Sequence, residues 1–270
     1  MGEPASNDRR ATMETSFELA EVAFSVGDQR LLAGIDLTFE HGRVYGLIGH
    51  NGSGKSTLMK LLARQQSATR GQLYYRDRAL ERWDQREFAR EVAYLAQQLP
   101  DATGLSVHEL AALGRYPWHG ALGRFTERDR ARVDEALRLT DVEPFRDRLV
   151  ATLSGGERQR AWLAMLVAQD SRCMLLDEPL AALDVAHQVE VMELVRCLCR
   201  ERELTVVIVL HDINIAARYC DELIALQGGN LIARGVPGEV VRPDKLEQIY
   251  GVAMGVMPHP RLATPIGYVA

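Results

Sequence analysis

The 270 residues are 47% apolar, enough to fill the core of one large domain or two small ones. A formal net charge of -5, with no run of five like charges, excludes the basic footprint of a general DNA or RNA binder. No apolar run approaches the roughly 20 residues that span a bilayer, and the opening MGEPASNDRRATMETS lacks the apolar centre of a secretion signal, so a cytoplasmic protein is expected.

Residues 1–15 read as a flexible polar tail and residues 16–270 as a single domain. FELAEVAFSV and LLAGIDLTFE alternate apolar and polar residues, the period of antiparallel strands with one buried face. RVYGLIG reads as a buried strand, and the helix after the glycine-rich turn that follows it places Leu58, Leu61 and Leu62 on one face. CMLLDE and TVVIVLHD are short apolar runs that lie between helical patterns and end abruptly in charge, as parallel strands covered on both faces do. The stretch from about Gln97 to Arg160 is helical and arginine-rich. The expectation is therefore an α/β core over about 16–96 and 161–270, with an N-terminal antiparallel β subdomain and a helical subdomain inserted at about 97–160. Cys173, Cys197, Cys199 and Cys220 are read as reduced packing residues, Cys197 and Cys199 pointing to different faces of one helix.

GHNGSGKS, residues 49–56, fits the spacing G-x-x-x-x-G-K-[ST] directly after a strand and before a helix. Glycines there let backbone N–H groups curl around phosphate oxygens at a helix N-terminus, whose dipole favours anions. Lys55 is placed to reach the outer phosphates and Ser56 to ligate magnesium. In open parallel sheets, ligands bind beyond the carboxyl ends of the strands. The other two parallel runs end suitably: Asp177 can hold Mg²⁺ through water, Glu178 can polarise an attacking water, and His211 lies within reach of a γ phosphate. Alone, an Asp-Glu pair after an apolar run is often a strand ending in solvent, and a lone His a surface residue. Their joint placement with a phosphate loop reverses that reading. LSGGERQR, residues 153–160, contains Ser154 and Glu157 at capping-box spacing, so it starts a helix. The glycines beside the cap also leave that helix N-terminus open to a second anion.

LSGGERQR together with GHNGSGKST, CMLLDE and His211 resembles the nucleotide-binding subunit of ATP-binding cassette transporters over nearly the whole chain. The resemblance implies a phosphate-loop ATPase fold and a head-to-tail homodimer in which each ATP lies between one subunit's phosphate loop and the other's signature. Residue by residue, it implies that Gly49, His50, Asn51, Gly52, Ser53, Gly54, Lys55, Ser56 and Thr57 hold the ATP phosphates, and that Ser56, Gln97 and Asp177 surround Mg²⁺. Ser154, Gly155 and Gly156 would meet the partner's γ phosphate, Glu178 would be the general base, Asp184 would lie at the dimer interface and His211 would sense the γ phosphate. Gln97 in AYLAQQ would link the nucleotide to the helical subdomain, Gln98 being the alternative. Lys55, Gln97, Glu178 and His211 form the expected catalytic group. The adenine-stacking aromatic of the family aligns with Val26, leaving Phe24, on the same strand face, as the alternative contact. Glu157 stands where the family commonly has glutamine, and the segment before Asp184 reads LAA in place of a hydroxyl-rich sequence.

Within that family, GRYPWHGALGRF (114–125), LVAQDSRC, LHDINIAARYCDELIAL and MPHP are similar to ATPases of ferric hydroxamate siderophore uptake, while those for haem, cobalamin and other siderophores share much of the pattern. This implies a separate membrane permease, a periplasmic or surface-bound siderophore-binding protein, no nucleic acid, and a place on the cytoplasmic face of the bacterial inner membrane. The loop mixes Tyr116, Trp118 and Phe125 with Arg115 and Arg124, a composition that suits an interface or aromatics tucked onto their own helix. A soluble cassette acting as a nucleotide switch on ribosomes or DNA is the competing class. Such proteins commonly carry two cassettes or a coiled-coil insertion, neither of which this sequence has. Kinases and GTPases with the same loop have no need of LSGGERQR.

Overall fold

The structure is a computed structural model that describes residues 14–120, 123–181 and 183–270. Strands β1 (Thr15–Val26) and β2 (Gln29–Glu40) form the expected antiparallel pair, so Thr15 and Ser16 already belong to the folded domain, and residues 1–13 lie outside the described part. Strand β3 (Val44–Ile48) is buried at all five positions and leads through the glycine turn into α1 (Lys55–Leu62). Next come β4 (Arg70–Tyr75) and β5 (Arg78–Ala79), which extend the antiparallel sheet to the order β2-β1-β4-β5. Helix α2 (Gln85–Glu91), capped by the Asp84 carboxylate, then delivers the chain to β6 (Val92–Leu95).

The helical part comprises α3 (Val107–Leu113), the single turn α4 (Tyr116–His119), α5 (Glu127–Leu139) and α6 (Gly155–Gln169). The boundary expected at residue 160 falls inside α6, which runs unbroken from the signature into the core. The chain then alternates β7 (Cys173–Leu176), α7 (Val185–Arg202), β8 (Thr205–Val209), α8 (Ile213–Tyr219) and β9 (Glu222–Gln227), closing with β10 (Asn230–Gly235), α9 (Pro237–Val240), α10 (Pro243–Tyr250) and the hairpin β11 (Met254–Pro258) and β12 (Pro265–Val269).

The central sheet has the order β10-β9-β3-β8-β7-β6, parallel throughout except for the antiparallel edge strand β10. Both faces are covered, as the continuous apolar runs require. Along β3 successive side chains alternate between two cores. Tyr45 and Leu47 join Phe17, Phe39, Leu58 and Leu62 beneath the antiparallel sheet, whereas Val44 and Ile48 join the helices on the far face. Cys173, Cys199 and Cys220 are buried free thiols, and Cys197, two residues before Cys199 on α7, is half-buried. Among the described residues, no helix is long and apolar enough to cross a membrane and no group of three metal-ligating side chains occurs.

Candidate active site

Four adjacent strands of the central sheet, β3, β8, β7 and β6, end at one edge, and the first or second residue after each end supplies one part of the site. The loop after β3 is pinned by Gly49. Its φ of 141° and a hypothetical Cβ only 2.2 Å from the Leu226 carbonyl oxygen leave room for no side chain. The turn brings Lys55 into the centre, 4% exposed, with Nζ donating to the carbonyls of Gly49 (2.8 Å) and His50 (2.9 Å) and to Ser53 Oγ (3.4 Å). Burial pushes the Lys55 amine below its ordinary range, while Glu178 and Asp177 pull it back up. Its ammonium thus rests on the loop's own carbonyls, where an incoming phosphate can replace them.

Beyond β7, Asp177 is 2% exposed and accepts a hydrogen bond from Ser56 Oγ at 3.1 Å. Burial raises the Asp177 carboxyl, with the Ser56 bond working against it. A buried carboxylate and a hydroxyl side by side form an oxygen-only donor pair that fits a hard divalent cation such as Mg²⁺. Glu178 follows with φ at 53°, a left-handed backbone uncommon for a non-glycine residue and frequent at functional sites. Its Oε2 accepts from Gln97 Nε2 at 2.8 Å, two residues beyond the end of β6, and its Oε1 lies 2.9 Å from His211 Nε2, two residues beyond the end of β8. A cavity of about 320 Å³ is lined by Leu31, residues 51–57, Gln97, Glu178 and His211. The structure thus brings Lys55, Ser56, Asp177, Gln97, Glu178 and His211 to one place.

Other residues named from the resemblance lie outside this cavity. Ser154 caps α6, its Oγ accepting from Glu157 N (3.3 Å) while Glu157 accepts from Ser154 N (2.8 Å), and neither Ser154, Gly155 nor Gly156 lines the phosphate cavity. Asp184 caps α7 by accepting from His187 N at 3.0 Å. Phe24 is a correction: it is 9% exposed and packed in the core with Phe17 and Leu32, so its ring offers no surface to adenine, while Val26 stands 59% exposed. Leu31 was not foreseen in the cavity wall, because strand alternation tells inside from outside but not which loop a strand passes.

Of the two readings of the arginine-aromatic loop, the structure agrees with aromatics tucked onto the helices. Arg115 is fully buried, bonding to Asp129 Oδ1 (2.9 Å) and the Ala168 carbonyl (2.8 Å), and Trp118 Nε1 donates to the Gln169 carbonyl (2.7 Å). Phe125 is half-buried against the helical core. Of the five arginines and aromatics named in this loop, Tyr116 and Arg124 are exposed, and residues 121–122 lie outside the described part.

A phosphate loop ahead of a sheet edge that carries Asp177, Glu178 and His211 defines the class of nucleotide-hydrolysing cassettes. A family model described as ABC transporter matches residues 32–181. The chain is 38% identical over 253 residues to the achromobactin transport ATP-binding protein of Dickeya dadantii, covering 93% of this chain and 94% of that one. It is 35% identical over 251 residues to the iron(3+)-hydroxamate import ATP-binding protein of Bacillus subtilis, with 93% of each covered, and 41% identical over 239 residues to the hemin import ATP-binding protein of Streptomyces coelicolor, covering 87% and 83%. Among solved structures, an inward-facing metal-chelate-type ABC transporter superposes with a TM-score of 0.84 at 21% identity, covering 96% of this chain and 98% of that one. A bacterial ABC transporter cassette solved as a dimer gives 0.73 at 27%, covering 82% and 98%. The chain belongs to the ABC transporter family, grouped with the ATP-binding subunits of iron-siderophore and haem importers, and is an ATPase.

Proposed function

We propose that this chain energises import of iron(III)-hydroxamate siderophores through a separate membrane permease, as a head-to-tail homodimer on the cytoplasmic face of the membrane that ATP closes and hydrolysis reopens. What supports the dimer is the phosphate cavity itself: one helix start and four strand ends supply it, while the signature residues Ser154, Gly155 and Gly156, chemically fit for an anion, are not among its lining. A second copy turned head to tail supplies the missing wall. A siderophore-binding protein delivers cargo to the permease, and nucleic acid has no part in the cycle.

In that cycle the N–H groups of residues 49–57 and Lys55 hold the phosphates, and Ser56, Asp177 and the Gln97 amide hold Mg²⁺. Bound there, Mg²⁺ neutralises charge on the phosphates. Glu178 accepts the proton of the attacking water as its oxygen bonds to the γ phosphorus and the bond to the bridging oxygen of ADP breaks. His211 and Gln97, which hold the two Glu178 oxygens, stand beside the place assigned to the γ phosphate and the cation.

The cargo reading rests on the hydroxamate-uptake pattern in residues 114–125 and on the Bacillus subtilis relative. A haem cargo is favoured by one observation, the 41% identity to the hemin import protein. The dimer is tested by mixing Lys55→Ala with Ser154→Arg chains, both carrying Glu178→Gln so that bound ATP is not turned over. Each homodimer has two damaged sites. A mixed composite dimer places both lesions in one site and leaves the other whole, so trapped ATP returns to about one per dimer, lowered by any coupling between sites. Absence of restoration in dimers shown to have exchanged subunits overturns the arrangement.

A further inference from the structure

The start of α6 and the start of α7 lie side by side, although about 30 residues of chain and one strand separate them. The contact is between Gly156 and His187. A Cβ built on Gly156 would stand 2.9 Å from His187 Cδ2 and 3.1 Å from both Cγ and Nε2, closer than packed atoms tolerate. The imidazole ring lies where a side chain on Gly156 would stand, so any larger residue there would have to displace it. The other edge of the ring is held by Asp184, whose Oδ1 lies 2.7 Å from Nδ1 and also accepts from His187 N. One carboxylate oxygen thereby caps α7 and anchors the ring. Four residues after Gly156 and three after His187, Arg160 reaches across to Glu190 at 2.8 Å, a second side-chain link between the two helices.

The seam borders the surface that the composite dimer turns to its partner: Ser154, Gly155 and Gly156 at one helix start, for the partner's γ phosphate, and Asp184 at the other, at the dimer interface. Left to themselves, two separate helix termini fray independently. A rigid ring with few rotamers, packed on one terminus and hydrogen-bonded to the other, removes that freedom at small entropic cost.

We propose that His187 is a positioning residue that locks the Ser154–Gly156 helix start to the Asp184 helix start, so that each subunit presents one rigid face to its partner's ATP. This rests on the composite dimer proposed above. His187 touches no nucleotide itself. It acts through Gly156 and Asp184, and its effect therefore falls on the site built with the partner's Lys55 and not on the site built with its own.

The test uses full-length chains on the Glu178→Gln background and reads ATP trapped per dimer. His187→Ala removes both ring and ring donor, and homodimers should trap about 10-fold less ATP, the lower end of the loss that follows removal of a group supporting a binding residue from behind. His187→Asn keeps a donor for Asp184 and loses the packing on Gly156, so its homodimers should fall between the two, and it serves in the mixing test if the alanine chain does not fold. Mixed with Lys55→Ala chains, either variant should recover about one trapped ATP per dimer, because one site then combines an intact phosphate loop with an intact signature face. Trapping by both variants equal to that of the parent overturns the inference. So does a mixture without recovery when Ser154→Arg and Lys55→Ala chains, mixed in parallel, do recover: His187 would then serve its own chain's site or the fold at large, while the composite dimer would stand. If neither mixture recovers, the dimer reading falls and the inference falls with it.

Discussion

Glu178 is held by Gln97 on one carboxylate oxygen and His211 on the other, at a backbone angle that costs about 1–3 kcal/mol in a non-glycine residue. A side chain so tightly located needs only its charge to act as a base. Glu178→Gln preserves shape and the contact to Gln97 but removes the proton acceptor, so phosphate release should fall about 100-fold or more while ATP still binds. Steady-state phosphate release and equilibrium ATP binding check this, and hydrolysis at the wild-type rate removes Glu178 from its role. Lys55 differs in kind, because burial disfavours its charge and the two carboxylates offset that in part. Its cation is thus kept available for phosphate by the same residues that are proposed to handle the metal and the water.

Among the elements, the turn α4 shows how charge is used for construction. Arg115 ties α4 to Asp129 on α5 and to the end of α6, with its guanidinium 4.9 Å from the Trp118 ring centre, and Arg90 from α2 donates to the Pro117 carbonyl at 2.9 Å. Burial alone would push the Asp129 carboxyl up, but hydrogen bonds from the Thr126 hydroxyl and backbone and from Arg115 outweigh it and hold the pKa down at about 2, against an ordinary 3.8. Because the folded value is depressed, this stabilisation is present above pH 3.8 and is lost as pH falls through about 2. It amounts to about 2 kcal/mol. Asp129→Asn should therefore lower stability at neutral pH and flatten its decline in that acid window, read from denaturant melts across pH. Asp129→Ala, which strands a buried guanidinium, should cost about 3–5 kcal/mol. An unchanged acid limb in Asp129→Asn would show that the pair contributes nothing to the pH dependence.

For the whole molecule, the question is what the ATPase drives. A strain lacking this chain should lose growth on a ferrichrome-type hydroxamate as sole iron source and keep growth on concentrated iron salts. Catecholate chelates should be spared unless several permeases share the ATPase. Retained hydroxamate uptake with no second ATPase compensating sinks the hydroxamate reading, and loss of growth on haem alone transfers the cargo to haem. Site geometry is indifferent to this choice. The cavity at the sheet edge is built for phosphates, and no metal-ligating cluster exists among the described residues that could read a chelate. Cargo choice therefore belongs to the permease and its binding protein in the proposed assembly.

What the sequence determined by itself was whatever is encoded over a few neighbouring residues. The loop from Gly49 to Ser56 needs its glycines and lysine at set spacing because the backbone bends within one turn, and the Ser154 and Glu157 cap closes over three residues, so both were legible. The alternating pattern of β1 and β2 and the apolar runs of β3, β7 and β8 were equally local. Strand β6 was not legible, since VAYL is too short for its period to show, and neither were β4 and the hairpin β11–β12, whose exposed positions blur the alternation. Only the tertiary structure decided that Phe24 is core, that Arg115 is buried on Asp129, and that His187 fills the space beside Gly156. Each of these depends on a partner outside its own element, 14 residues away for Arg115 and farther for His187, and local pattern carries no information about which group will arrive. The meeting of Lys55, His211, Glu178 and Gln97 depends in turn on the strand order β3-β8-β7-β6, which the chain achieves only by burying both faces of the sheet at once.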